Sequence, residues 1–510
     1  MALGRTQCVA LAGIDGHLVD VEADVAQGLP TFTITGLPDT SLSESRDRVR
    51  AACANSGVAI PARRLTVNLS PASLPKAGTG FDLAVAIAVL VAGEVVPERR
   101  ASGVVHLGEL GLDGQVRAVR GVLPAVLAAA RAGVGQVVVP AANAREAALV
   151  PGVTVHAAHT LQSLVAFYRG EVTSPGEATA AVPSDVVSAP PDLADVIGQV
   201  DARAALEIAA AGGHHLFLVG PPGSGKTMLA CRLPGLLPDL DLDSALEVTA
   251  VHSLAGILPR DGGLLTRPPF IDPHHTASPV SIVGGGSGMP RPGAASRAHR
   301  GVLFMDEAPE FDTRVLDALR QPLESGELVI HRAGGVARYP ARFQLVLAAN
   351  PCPCGRASAK GADCTCTPMA RRRYLHRLSG PLLDRVDLQV PVLSVTRAAM
   401  NPDVVGEGTA AVAARVESAR AVQRDRWAGM PWRLNADVPG RDLRRGHWRL
   451  APGATSILDR GVERGTLTVR GYDRTLRCAW TLADLAGRAM PGADDVGMAF
   501  ALRDQGSVAA

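Results

Sequence analysis

Apolar residues are spaced in three different ways as the chain is followed from Met1. Up to about residue 172, short apolar runs have the length and β-branched content of strands: Phe32–Thr35, Leu65–Leu69, Val104–Leu107 and Val137–Val139. Between them the apolar positions recur at helical spacing over Ser41–Ser56, Phe81–Ala92 and Leu123–Ala132, which predicts an α/β or α+β unit. From 173 to 190 the period vanishes and small residues with Pro175, Pro183 and Pro190 take over, the character of a linker. A helical lead-in, Asp192–Ala211, then precedes three runs that read as buried strands: Leu216–Val219, Gly301–Met305 and Phe343–Ala349. Past residue 395 the spacing is helical throughout, over Val404–Trp427, Thr455–Glu463, Tyr472–Ala489 and Ala493–Arg503. The predicted units are 1–172, a linker 173–190, an α/β core 191–395 and a helical unit 396–510.

Composition narrows the class. With 47% hydrophobic and 20% charged residues, each unit can bury a core. The longest apolar stretch, Phe81–Val96, is interrupted by Asp82 and Glu94, so no bilayer span is expected. The start of the chain shows no secretory pattern, and eight cysteines in so long a chain suggest reduced thiols, hence a cytoplasmic location. A net charge of +2 requires any nucleic-acid surface to be a local patch. Aromatic content of 3% argues against binding built mainly on base stacking.

The chemistry begins where the first core strand ends. Gly220, Pro221, Pro222, Gly223, Ser224, Gly225, Lys226 and Thr227 fit the phosphate-binding P-loop at every fixed position, between a strand and a helix. Lys226 is one of only three lysines in a chain that otherwise uses arginine, and it stands where a compact ammonium is needed. It would reach the β- and γ-phosphates of ATP, and the Thr227 hydroxyl would ligate Mg2+. Gly301–Glu307 is an apolar strand ending in two carboxylates, the Walker B pattern. Asp306 would hold Mg2+ through water, and Glu307 would orient the attacking water. Phe343–Asn350 ends in an amide placed as a sensor of the γ-phosphate, and Arg385 stands where a finger could serve a neighbouring subunit's nucleotide. In this order these are the parts of an AAA+ ATPase, and a finger acting in trans implies a ring.

Two resemblances follow. Pro75–Asp82, Gly108–Val119, Ala128–Gly133, Val137–Pro140 and Asn143 together resemble the proteolytic domain of Lon proteases. Those enzymes use a Ser–Lys dyad. Here Gly80 stands where the serine would be, and Arg120–Ala125 holds no lysine, so the fold is expected without the peptidase activity, as a docking or assembly platform. Nearly end to end, the chain resembles the Mg-chelatase-like AAA+ ATPases of the YifB/ComM family, through this front unit, the P-loop core, Arg267–Ser278 and the tail Arg470–Arg477. The resemblance implies a hexameric motor acting on DNA, a branch-migration helicase in recombination or natural transformation. It makes 396–510 a helical lid and Arg470 a second sensor of the γ-phosphate. A magnesium chelatase-type ATPase subunit and a protein-remodelling AAA+ ATPase are the alternatives.

The rest concerns surfaces and metal. The stretch Ser253–Gly293 reads as a long loop entering the ring pore, and its Asp272, His274 and His275 fit hydrogen bonding or phosphate contact better than zinc. Glu327–Tyr339 reads as a hairpin turning at Gly334–Gly335, either tracking phosphates with Arg332 and Arg338 or simply solvated. Cys352, Cys354, Cys364 and Cys366 fall within fifteen residues as two C-x-C pairs. Four thiolates satisfy a closed Zn2+ site, although C-x-C is tighter than the usual C-x2-C, and structural thiols or a redox pair are the other readings. Arg371–Arg377 adds a basic cluster able to contact phosphates.

Overall fold

The computed structural model describes residues 2–36, 39–176, 191–259, 263–286, 290–332, 335–357, 364–394 and 406–503. Most of the expected linker 173–190 lies outside them. No helix among the described residues is long and apolar enough to cross a membrane.

The first unit is a seven-stranded mixed sheet. Its centre is a long antiparallel hairpin, Ala2–Ala12 with Asp15–Ala26, joined on one side by Arg64–Ser70 and Thr31–Thr35, and on the other by Val105–His106, Gln136–Pro140 and Thr154–Ala158. Val19, Val21 and Ala23 point inward, while Asp20 and Glu22 pair outward across the ladder with Gln7 (3.0 Å) and Arg5 (3.1 Å). The helix Asp82–Ala92 is apolar all round and every residue of it is buried, as a helix at the middle of a core must be. Its one charged residue, Asp82, sits in the first turn and is held by the Arg48 guanidinium at 2.6 and 2.9 Å. The predicted helix over Ser41–Ser56 is two helices, Thr40–Ser43 and Ser45–Asn55.

The second sheet has five parallel strands in the order Phe270–Ile271, Val302–Met305, Gln344–Ala349, Leu216–Val219, Leu388–Pro391. All residues of the three middle strands are buried, the run-on apolar pattern of a parallel sheet covered on both faces. Alternation divides them between two cores. Leu216 and Leu218 pack with the helices Val200–Gly212, Thr409–Arg426 and Val469–Leu485, whereas Phe217 and Val219 pack with Ile282, Phe311 and Leu316. The C-terminal helices therefore share a core with the P-loop sheet.

The stretch expected as one long pore loop is more structured than that. Ser253 lies in the last turn of the helix Leu242–Ala255, Phe270–Ile271 is an edge strand of the sheet, and Pro279–Val283 is a short helix. The hairpin is present as expected, Glu327–Arg332 paired with Gly335–Pro340, but it is not simply solvated. Arg338 accepts a hydrogen bond from the Ile14 amide (3.1 Å) and bridges Gly13, at the turn of the first unit's central hairpin. Ser253 Oγ donates to Glu146 Oε2 (2.6 Å), and Leu246 and Ala250 enter the first unit's core.

Candidate functional site

The P-loop strand ends at Val219, and the turn that follows leads into the helix Lys226–Ala230. Gly223 and Gly225 have φ of +75° and +96°, a backbone bend that residues with a Cβ adopt only at a cost. The Lys226 ammonium is folded into this turn and donates to Gly220 O (2.7 Å), Pro221 O (3.0 Å) and Asn350 Oδ1 (3.1 Å). Burial pushes its pKa down, opposed by the charges of Asp306 and Glu307. Gln199, just before the lead-in helix Val200–Gly212, donates to Ser224 O (3.0 Å) and to Leu393 O, tying that segment to the loop.

The sensor strand Gln344–Ala349 lies between the P-loop strand and Val302–Met305, so three strand ends converge at one edge of the sheet. Thr227 Oγ1 donates to Asp306 Oδ2 at 2.7 Å, bringing together the hydroxyl and carboxylate chosen from sequence as Mg2+ ligands. The Glu307 amide donates to Asp306 Oδ1 (2.9 Å), and Glu307 itself has a φ of +51°. A non-glycine residue in that region is a local strain that neighbouring structure must hold.

Glu307 has a partner that the motif alone did not supply. His275 Nδ1 lies 3.2 Å from Glu307 Oε2. Parallel pairing of Ile271 with Leu303 starts the two segments side by side, and His275 and Glu307 both lie in the turns just past their strands. The His274 ring lies 4.1 Å from that of His275, tilted by 33°, and bonds Thr276 Oγ1 through Nδ1 (2.9 Å). The sequence had marked these imidazoles for hydrogen bonding, but the two-residue strand that aligns them was too short to read. His275→Ala is expected to lower ATP turnover about tenfold through misplacement of Glu307, with nucleotide affinity unchanged. Single-turnover hydrolysis beside a fluorescent-nucleotide titration checks both halves.

The two arginines assigned to the site stand apart from it. Arg385 is 7% exposed; its guanidinium meets Glu324 and Pro381 O of its own chain, and its Nε has no partner. Arg470 is exposed in the first turn of Val469–Leu485, with no hydrogen bond or ion pair among the described residues. Arg474, one turn further, is structural. It donates to the buried Asp387 at 2.6 Å, and Asp387 Oδ2 accepts from the His215 amide (2.9 Å) at the foot of the P-loop strand. Burial alone would raise the Asp387 carboxyl, but Arg474 and the surrounding His214, His215 and Arg477 outweigh it and hold it well below the usual carboxylate range.

Because that pKa is depressed, the stability Asp387 contributes is complete above the unfolded-state value near pH ~4 and is lost only as pH falls through the folded value. Asp387→Asn should cost about 3–5 kcal/mol at neutral pH, the penalty of stranding a buried Arg474, with a smaller penalty in acid. Denaturant midpoints measured across pH check it.

The cysteines do come together. Sγ separations are 3.3 Å for Cys352–Cys354, 3.7 Å for Cys352–Cys364 and 3.5 Å for Cys354–Cys364, and all four Sγ atoms, Cys366 included, lie within 4.8 Å of one another. Among the described residues this is the one set of three or more His, Cys, Asp or Glu side chains close enough to share a metal ion. Thr367 caps the basic helix Pro368–Leu375 directly after it, with Arg372 and Arg373 exposed and Arg377 bridging Glu310 at 3.3 Å. Arg338 pairs across its hairpin with Glu327 at 3.6 Å, and the Arg332 side chain lies outside the described residues.

Gly80, where the resemblance would place a peptidase serine, follows Thr79 directly, and the Thr79 hydroxyl is taken up by Glu109. Gly80 lines a cavity of about 770 Å3 with Thr79, Glu109 and Arg120. Its far wall is Leu254, Pro290, Arg291, Pro292 and Tyr339, all from the ATPase stretch.

Comparison with known proteins matches three family models: "Magnesium chelatase, subunit ChlI" over residues 192–400, "Subunit ChlI of Mg-chelatase" over 21–143, and "Magnesium chelatase, subunit ChlI C-terminal" over 406–503. The chain is 54% identical over 507 residues to an uncharacterized protein of Mycobacterium tuberculosis, covering 99% of this chain and all of that one. It is 42% identical over 492 residues to the competence protein ComM of Haemophilus influenzae, covering 96% of this chain and 94% of the relative. Against the uncharacterized protein YifB of Escherichia coli it is 41% identical over 488 residues, covering 95% and 94%.

Proposed function

Since the chain belongs to the YifB/ComM family of Mg-chelatase-like AAA+ ATPases, we propose that it is an ATP-hydrolysing ring motor that acts on DNA. The observation that carries the ATPase half is the meeting of Thr227 with Asp306 at 2.7 Å while Lys226 reaches Asn350 at 3.1 Å. Four residues from three strand ends meet at one end of the sheet, and their chemistry is that of a triphosphate and Mg2+ site.

The roles follow from those positions. Backbone amides of Gly220–Thr227 and the Lys226 ammonium hold phosphates, and Thr227 and Asp306 hold Mg2+. ATP supplies the transferable phosphoryl group; the chain positions it and the water. Glu307 orients and polarises that water, and Asn350 reads the γ-phosphate. Arg385 serves the neighbouring subunit and Arg470 closes over the site from the helical unit 396–510, acting as a lid. The ring is a homo-hexamer.

The front unit 1–172 is Lon-protease-like and catalytically inactive, separated by the linker 173–190 from the core 191–395. Its use as a docking platform is supported by the hairpin and helix of the ATPase stretch that rest on it. DNA contact is supported by the exposed arginines after the cysteine cluster, and a Zn2+ in that cluster completes the cofactor set. Single-stranded or branched DNA is the substrate, worked on in recombination or natural transformation.

The test is ATP turnover of the full chain with no DNA, single strands, duplex and four-way junctions. Junction DNA is expected to stimulate most, with stimulation falling steeply as salt rises. Equal turnover in all four conditions would overturn the DNA motor and leave the ATPase standing.

A further inference from the structure

We infer that Cys352, Cys354, Cys364 and Cys366 form a tetrahedral Zn2+ site whose task is to fix the γ-phosphate sensor Asn350 against the P-loop and to anchor the basic helix Pro368–Leu375. The inference deepens the ATPase reading above and rests on it for its second half only.

The sulfur geometry suits the ion. A tetrahedron of thiolates at the usual Zn–S length has S···S edges of about 3.8 Å. Three of the pairs lie at 3.3, 3.5 and 3.7 Å, and the fourth sulfur is within 4.8 Å of the rest. On binding, the thiols release their protons and the four thiolates close the coordination sphere, leaving no position for water.

The position of the cluster gives it work to do. Cys352 is buried and follows Asn350 by two residues, straight off the sensor strand Gln344–Ala349. Gly355, whose amide bonds Cys352 O at 2.9 Å, presses on the P-loop: a Cβ there would sit 2.6 Å from the Pro222 ring. On the far side Cys366 leads directly into Thr367, the cap of the basic helix, whose buried Tyr374 faces the backbone of Asn350. One ion would therefore bind the sensor, the roof of the phosphate loop and the base of an arginine-bearing helix into one piece. A short polar turn without the metal has no apolar core of its own to do this.

The full-length reduced chain, purified without chelators, is expected to contain about one zinc per chain by total-metal analysis. Cys354, exposed as a free thiol, should resist alkylation in the native protein until a zinc chelator is added, read by peptide mass spectrometry. Co2+ exchanged for zinc should show the charge-transfer and ligand-field bands of a tetrahedral thiolate site. The variant C364S/C366S should lose the metal and lower kcat for ATP by about ten- to a hundredfold, with KM within about threefold.

A native chain without metal, its Cys354 alkylated at the rate of an open thiol, overturns the site. Should the variant not fold, chelation and zinc restoration of the wild-type chain make the same comparison. Zinc lost with kcat unchanged overturns the coupling to the sensor. Zinc present in a wild-type chain that turns over no ATP counts against the ATPase reading and supports the metal site.

Discussion

Lys226→Ala should leave a folded protein that no longer binds ATP, while Glu307→Gln should bind ATP and stall before hydrolysis. The two substitutions separate holding from reacting. Lys226 bridges the Gly220 and Pro221 carbonyls and Asn350, so it already stands inside the phosphate loop. Removing that buried ammonium costs about 2–5 kcal/mol of nucleotide binding, the scale for deleting one partner of a desolvated charge pair. Glu307 makes no contact to the loop itself; its carboxylate faces His275 and its amide is fixed by Asp306. Glutamine keeps the shape and loses the charge that polarises water, so turnover should fall by about 10²–10⁴-fold, the usual contribution of a positioned base. Equilibrium nucleotide binding and phosphate release, measured on both variants, read the two effects. Wild-type turnover by Glu307→Gln would remove Glu307 from its role.

The second large effect is expected at Arg385. Its guanidinium is tied to Glu324 and the Pro381 carbonyl within its own chain, away from Lys226 and Asn350. A finger for a neighbouring subunit must leave Glu324, an exposed carboxylate that can release it to a more negative partner. Arg385→Ala is therefore expected to bind ATP with normal affinity and to lose hydrolysis by about 10³-fold or more, the scale of a missing arginine finger. Mixing it with Lys226→Ala should restore part of the activity, because in mixed rings an intact P-loop then faces an intact finger. DNA stimulation should return with the turnover. No rescue in rings shown to be mixed would sink the trans role and leave Arg385–Glu324 as an internal ion pair. Rescue without a DNA response would keep the ring and sink the DNA motor.

Legibility in the sequence followed locality. Leu216–Val219 and the glycine turn after it were readable because all their information lies in twelve consecutive residues. The C-terminal helices were readable to within a few residues, with Thr409–Arg426 and Val469–Leu485 close to the expected spans, since helical spacing repeats for several turns. The hairpin Ala2–Ala12 with Asp15–Ala26 went unread, although Asp20, Glu22 and Asp24 alternate with the buried Val19, Val21 and Ala23 as one face of a strand does. What no single segment encodes is register between distant strands. His275 meets Glu307, and Asp387 meets Arg474, across segments distant in sequence that the fold brings together just beyond the strand ends. The finger arginine shows the same limit in reverse, since nothing in its own motif announces Glu324.

The contact between Arg338 and the Ile14 amide has a consequence for speed. A free hairpin tip fluctuates on the nanosecond to microsecond scale, whereas a body of domain size swings in microseconds to milliseconds. Because the hairpin is stitched to the first unit's central strands, any stroke it makes must carry that sheet with it. In the ring motor proposed above, the clock of the cycle would then belong to the heavier body. Cutting the stitch, rather than altering the ATP site, is what would let the hairpin flicker out of step with hydrolysis and turn fuel into motion without work.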